Sequence, residues 1–259
     1  MSKLRAGAIL AMFAILASGS AAQAAALKVM ATGAMTDAVK EVADSYSKRT
    51  GVAVEVVREI SGTMAKRMRA GEKWDLVLST KEIVDALTSE HILDKAGQAI
   101  LSRTFVGLCV PAGMAAPDIS TSAAFKATVL AARSISYPDP QNGAPSGVYV
   151  EEVLKSLGIL DAVKSRVTYG QRGADVAVAV SQKKAEIGMT LISELYPDKG
   201  VRVVGRLPLP FQKPVTYAVA VATAAGNPKD AQALLKELLG PAGTAAITRI
   251  RGIELLPKK

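Results

Sequence analysis

Short apolar runs and amphipathic helical segments take turns along the chain, and this alternation constrains the fold more than any other feature of the sequence. "LKVMAT" (27–32) reads as a strand. Met35, Val39, Val42 and Tyr46 then fall at three- and four-residue steps, which predicts an amphipathic helix stopped by Gly51. "VAVEVV" (52–57) is the next strand, followed by a helix over Met64 to Arg69 that Ala70-Gly71 closes. The buried strand "WDLVLST" and the helix "KEIVDALTSEHIL" follow, and then the strand "TFVGLCVP", which Pro111 ends. The rhythm continues through "AARSISYPDP", a helix over Gly147 to Leu157, "SRVTYG", a helix over Ala174 to Lys184 and "EIGMTLIS". Two strands, "VRVVGRLP" and "TYAVAVAT", precede a closing helix pair capped by Asn227 with Pro228 at its first position. Such alternation predicts an α/β chain with a largely parallel sheet. Two sets of strand–helix units flank "TFVGLCVP", and "KPVTYAVAV" returns late. A chain that leaves one lobe and comes back to it has this order.

The first residues stand apart. Lys3 and Arg5 precede an apolar stretch, Ala8 to Ala17, that is too short to span a bilayer, and Ala22-Gln23-Ala24 offers a small-residue cleavage site. Residues 1–24 are therefore expected to be a cleaved secretory signal, with the mature protein in the periplasm. Removing Lys3 and Arg5 lowers the formal net charge from +9 to +7. A basic surface suits an anionic ligand or a negatively charged membrane. Scattered basic residues, 4% aromatics and export speak against nucleic acid.

Little conventional catalytic chemistry is available. One cysteine, Cys109, cannot form an intrachain disulfide, and it sits in an apolar run. One histidine, His91, lies at a helix end, where a cation is favoured. One His and one Cys do not build a conventional zinc site. No dinucleotide or Walker A fingerprint is present, and "GAPSG" is not a nucleophile elbow. No cofactor is expected and no enzyme is indicated, although a secreted hydrolase using Ser146 or Cys109 stands as the alternative from another class. What remains is four strand-to-helix turns rich in small and hydroxyl residues: Thr32-Gly33-Ala34-Met35-Thr36, Ser61-Gly62-Thr63, Pro145-Ser146-Gly147 and Arg172-Gly173-Ala174. Each is ordinary capping by itself, yet each also offers free backbone N–H groups to an anion.

Over nearly the whole mature chain, the segments holding these turns resemble the periplasmic molybdate-binding proteins, type-2 solute-binding proteins of ABC importers. "LKVMATGAMTDAVKEVADSYSKRTGVAVEV" resembles the family's opening strand, serine-bearing turn and first helix. "SGTMAKRMRAGEKWDLVLST" is similar to S-S-x-L-A-x-Q-I-x-x-G-A-x-A-D-L-F-I-S. "YPDPQNGAPSGVYVEEVLKSLGI" is similar to G-D-P-x-x-x-P-A-G-x-Y-A-x-x-x-L. "AEIGMTLISEL" is similar to A-x-x-G-I-V-Y-x-S-D, and "LLKELLGPAGTAAITRIRGIE" to the closing F-L-x-S-P-E-A-x-x-I-F-x-x-x-G-F. The resemblance implies two α/β lobes joined by two crossing strands, with a ligand in the cleft between them. The lobes would be 25–105 with 217–259, and 106–216. It also implies a monomeric binding protein that delivers a small anionic ligand to an inner-membrane ABC permease. The same fold could instead serve as a transporter-independent sensor or chaperone.

The expected ligand-binding residues are Thr32, Ala34 and Met35 in the first turn, Ser61, Gly62 and Thr63 in the second, Ser146 in the third, Arg172 and Gly173 in the fourth, and Leu191. The departures from the family pattern fall among these. The first-turn serine is matched by Ala34, and the tyrosine after the late G-I-V by Leu191. Ser61 is kept, Ser146 replaces an alanine, and Arg172 replaces an acidic residue. Losing two hydrogen bonds of ~1.5–3 kcal/mol each should weaken binding of a tetrahedral oxyanion by roughly 10²-fold or more. Arg172 is either a solvated surface residue or, facing the cleft, a planar fork suited to a carboxylate. Leu191 and Met35 would make one wall apolar. The expected ligand is therefore a molybdate-like oxyanion or a small organic carboxylate.

Overall fold

The computed structural model describes residues 26–256, so the expected leader lies outside the described residues. Among the described residues there are ten strands: β1 Leu27–Ala31, β2 Val54–Arg58, β3 Leu76–Thr80, β4 Ala99–Pro111, β5 Ile135–Pro138, β6 Val167–Gly170, β7 Ile187–Leu191, β8 Val201–Arg206, β9 Pro214–Val221 and β10 Glu254–Leu255. The helices among them are α1 Met35–Thr50, α2 Ser61–Arg69, α3 Lys81–Ser89, α4 Ser122–Ala131, α5 Pro145–Ser156, α6 Leu160–Val163, α7 Gly173–Ser181, α8 Ile192–Leu195, α9 Pro228–Leu239 and α10 Pro241–Thr248.

The strands run in the order β2-β1-β3-β9-β4-β7-β5-β6, with β8 and β10 also paired to β4. The expected largely parallel sheet is corrected here to a mixed, curled one. β1 pairs in parallel with β2 and β3, and β5 with β6 and β7. Every ladder made by β4 and β9 is antiparallel. The physical reason is the return of the chain: β9 comes back beside β4 in the opposite direction, inserting an antiparallel centre between two parallel wings. β4 carries both halves. Its residues from Ala99 to Phe105 pair with β9, and those from Val106 to Pro111 pair with β7 and β8. The result is a two-lobed α/β fold in which one strand belongs to both lobes.

Local chemistry sets the helix ends. Gly51 takes φ +77° after α1 and returns its N–H to Ser47 O, while Lys48 and Arg49 complement the last turn. The Asn227 side chain accepts from Asp230 N at 3.3 Å, as its capping position predicts. Between them, the buried Asp75 ties the first lobe together. Its carboxylate accepts from the backbone N–H of Lys28 at 2.8 Å and of Asn227 at 3.1 Å. The inward residues of α1 (Val39, Val42, Tyr46) and α9 (Leu234, Leu238) pack on the sheet in the main core. Burying such a side chain contributes about 1.5–3 kcal/mol.

Candidate functional site

All four turns singled out in the sequence open onto one cavity of about 1020 Å³. Thr32 and Ala34 reach it from the β1–α1 turn, and Ser61 from the start of α2. Ala144 to Ser146 come from the start of α5, and Arg172 to Ala174 from the start of α7. The strand ends that precede these turns all point the same way within their own lobe, because β1, β2 and β3 are mutually parallel and so are β5, β6 and β7. Helices that follow parallel strands start on one edge of the sheet, and the two lobes turn these edges toward each other. First-turn N–H groups, which no helix can satisfy from within, therefore line both sides of the cleft.

Of the ten residues expected at the site, Thr32, Ala34, Ser61, Ser146, Arg172, Gly173 and Leu191 line the cavity; Met35, Gly62 and Thr63 do not. Met35 is fully buried in the core beneath the first turn, with the Ser102 hydroxyl 3.7 Å from its sulfur. As the first residue of α1 it turns its side chain into the sheet, so the apolar wall is made by Leu191 without it. Gly62 uses its N–H on Gly143 O at 3.2 Å, across the cleft. A Cβ on Gly62 would sit 2.7 Å from Gly143 Cα, so the two glycines are a lobe-to-lobe contact. Thr63 lies half-buried one residue farther along α2, away from the cavity.

The remaining polar groups form a small network. Ser61 Oγ donates to Thr32 Oγ1 at 3.2 Å in the first lobe. In the second, Ser146 Oγ lies 3.4 Å from Thr190 Oγ1, whose hydroxyl donates to Glu194 Oε2 at 3.0 Å. Arg172 extends over the exposed N-terminus of α7, with Asp175 3.5 Å away. Both alternatives for this side chain are met in part: it is solvated, and it edges the cavity.

Among the lining residues that escaped the sequence reading, three carry polar groups that matter to the site. Arg58, at the end of β2, donates to Gly33 O and to Asp37, each at 2.6 Å. Tyr217, on the returning strand β9, is 1% exposed, and its hydroxyl completes no hydrogen bond among the described residues. Glu194, on α8, is a half-buried acid that lines the cavity. Burial pushes its carboxyl up to about 7, and Asp175 adds to the rise, while the Thr190 hydroxyl and the Arg58 charge oppose it. A signal for Glu194 was present in "AEIGMTLISEL", which closes on an acid where the family pattern does.

The hydrolase alternative lacks its parts. The ring of His91 lies outside the cavity, in the turn after α3, so it offers Ser146 no base. Cys109 is fully buried in β4, and burial pushes its thiol up to about 12, the opposite of an activated nucleophile.

Comparison with known proteins gives this architecture its relatives. Residues 27–250 match the bacterial extracellular solute-binding protein family. An aconitate isomerase of Pseudomonas sp. is 30% identical over 229 residues, covering 85% of both chains. The molybdate-binding protein ModA of Escherichia coli is 27% identical over 226 residues, covering 86% of this chain and 87% of its own. Among solved structures, the Azotobacter vinelandii periplasmic molybdate-binding protein superposes with a TM-score of 0.71 at 18% identity, over 90% of this chain and all of that one. The family is one of binding and transport proteins that work outside the cytoplasm, and the isomerase is a relative that carries an enzyme's name. Fold, cleft and sequence agree: this chain belongs to the bacterial extracellular solute-binding proteins, and it has the two-lobed type-2 periplasmic binding fold with a cleft for a small ligand between the lobes.

Proposed function

We propose that the ligand is a small organic polycarboxylate, captured by the facing helix ends of the two lobes and delivered by the closed monomer to an ABC permease. The observation that carries this reading is the cavity itself. Its volume of about 1020 Å³ stands at the top of the roughly 300–1,000 Å³ that holds drug-sized ligands. A bare tetrahedral oxyanion leaves most of such a space unfilled. The lining supports the same conclusion, because Ala34 and Leu191 stand where an oxyanion cage carries hydroxyls, and Arg58 and Arg172 add guanidinium groups at the rim. The aconitate isomerase relative supports a tricarboxylate in particular.

In this reading, Thr32, Ser61, Ser146 and those first-turn N–H groups of α2, α5 and α7 that have no other partner hold carboxylate oxygens, and Leu191 packs against the carbon skeleton. The lobes are 25–105 with 217–259, and 106–216, and they move about the Phe105–Val106 crossing and the start of β9.

A thermal-shift comparison of trans-aconitate, cis-aconitate, citrate, molybdate, tungstate, sulfate and phosphate tests the proposal. A tricarboxylate at a hundred times its Kd should stabilise the fold by about 2.7 kcal/mol, raising Tm by roughly 5–10 °C for a chain of this size. A dominant molybdate shift overturns it. Proton NMR of the same aconitate samples reads turnover, and interconversion of the two isomers would replace capture by catalysis.

A further inference from the structure

Glu194 has no evident place in a site built to attract anions. An ionised carboxylate facing a bound polycarboxylate would repel it, in a cleft where little water remains to screen the two. Yet the fold goes to some length to hold this side chain there. A Cβ on Gly173 would fall 1.7 Å from Glu194 Oε2, and one on Gly33 would fall 3.1 Å from Oε1. The carboxyl thus fills the space that two glycines, one from each lobe, leave open. Gly33 holds φ +53°, a conformation that suits glycine and sets this approach.

The surroundings favour the neutral acid. Burial outweighs the Thr190 hydroxyl of β7, which donates to it at 3.0 Å and by itself favours the charged form. From α7, Asp175 repels a second negative charge. From β9, the Tyr217 ring and its unpartnered hydroxyl lie alongside. From β2, the Arg58 charge opposes the rise, but that guanidinium is already engaged by Gly33 O and Asp37. β4 meets α8 where Gly107 faces Ile192, and Gly205 of β8 lies against Gly107. The arginines near that crossing, Arg103 and Arg206, are paired with Glu254. After α10, Gly252 packs on Ile192 and Ser193 without a charge, while Arg249 pairs with Glu41 and Arg251 lies over the Tyr196 ring at 4.0 Å.

We infer that Glu194 serves the site as a neutral carboxylic acid that donates its proton into a hydrogen bond with one carboxylate of the ligand, so that each ligand bound above neutral pH brings a proton in with it. The proton comes from solvent and stays on Glu194. The orphan Tyr217 hydroxyl supplies a second donor beside it. Two carboxylates at hydrogen-bond distance do not both ionise, so ligand binding raises the proton affinity of an acid that burial already favours in its protonated form. Glu194 then sets specificity: it favours ligands with a carboxylate that accepts a single strong hydrogen bond, and it adds a pH-dependent term to capture. This inference rests on the polycarboxylate reading above.

The test is calorimetry with trans-aconitate on wild type and Glu194→Gln, in buffers of different ionisation heat, at pH 7.5 and 8.5. Wild type should take up close to one proton per ligand, and its Kd should rise by about tenfold over that unit of pH. Glu194→Gln keeps an N–H donor in the same place, so it should bind without proton uptake and with a Kd that changes less than twofold over the same unit. Uptake that persists in the variant, or a wild-type Kd that is flat between pH 7.5 and 8.5, overturns the inference and leaves the polycarboxylate reading standing. Absence of binding heat from trans-aconitate, cis-aconitate and citrate alike overturns both.

Discussion

The two jaws of the cleft are built from the same part, a helix N-terminus after a parallel strand, but they are furnished differently. The first-lobe jaw is neutral at its centre: Thr32 and Ser61 share one hydrogen bond, and Ala34 contributes only backbone. The second-lobe jaw has a deeper chain of polar groups, from Ser146 through Thr190 to the half-buried Glu194. Shared geometry explains why both jaws offer first-turn backbone N–H groups to the cleft. The unequal furnishing offers a way to distinguish ligands, because Glu194, the cleft acid whose carboxyl is raised, belongs to the second jaw.

The strongest way to break the comparison is to keep the jaws apart. Gly62→Val places side-chain atoms where Gly143 now packs, with the Cβ alone 2.7 Å from Gly143 Cα. Affinity for the polycarboxylate should fall by about 100-fold or more, since an open cleft forfeits several hydrogen bonds to a charged ligand at once. Calorimetry together with small-angle scattering checks this, and wild-type affinity in the variant would show that the glycine contact is incidental.

Next comes a repair of the oxyanion cage. Ala34→Ser combined with Leu191→Tyr returns two hydroxyls, and molybdate affinity should rise by roughly 10²-fold by equilibrium binding. A rise in polycarboxylate affinity instead would reverse the assignment of the apolar wall.

The acid itself can be weighed without any ligand. Because the carboxyl of Glu194 is raised to about 7 in the fold, its contribution to stability is fully present below the unfolded value near 4.5 and is lost as pH rises through 7. Glu194→Gln cannot titrate, so it should match wild type near pH 4.5 and exceed it by up to roughly 3 kcal/mol at pH 8. Chemical denaturation at the two pH values gives the difference directly.

The smallest effect should come from behind the cleft. Glu254 pairs with Arg103 of β4 and Arg206 of β8, and hydrogen bonds from both guanidiniums hold its carboxyl below the usual range. The groups are partly exposed, so Glu254→Gln should cost about 1 kcal/mol or less at pH 7. That cost should vanish as pH falls through the depressed pKa of Glu254, a trend that Tm measured against pH will show.

Much of the fold was legible because it is written in periodicity. α1 announced itself through Met35, Val39, Val42 and Tyr46, and the structure buries all four. α4 escaped notice because "SAAFKATVLA" lacks a clear polar face; it is anchored by Phe125 and Val129 alone. The antiparallel centre was illegible for a related reason. A strand buried on both faces reads as one apolar run whichever way its neighbour points, so "TFVGLCVP" and "TYAVAVAT" carried no sign of direction.

At the site, the turns were legible because capping chemistry is local. Met35 was misplaced because the direction of a side chain at a helix start depends on the sheet beneath it. Glu194 was passed over because an acid in "LISELY" reads as a helix surface charge. Its burial is made by Gly33, Gly173 and Tyr217, which are distant in sequence.

The crossing strand β4 has a mechanical consequence. It runs unbroken for thirteen residues, taking its hydrogen bonds from β9 at one end and from β7 and β8 at the other. The two lobes are therefore not joined by slack tethers. They hang on a leaf spring that can flex while every rung of its ladder stays made. The register shifts at Ile100/Ser102 and Leu108/Cys109 leave the span between them free to twist. Opening and closing would then demand no local unfolding, and anything that pries the lobes apart would work against elastic strain that is returned when it lets go.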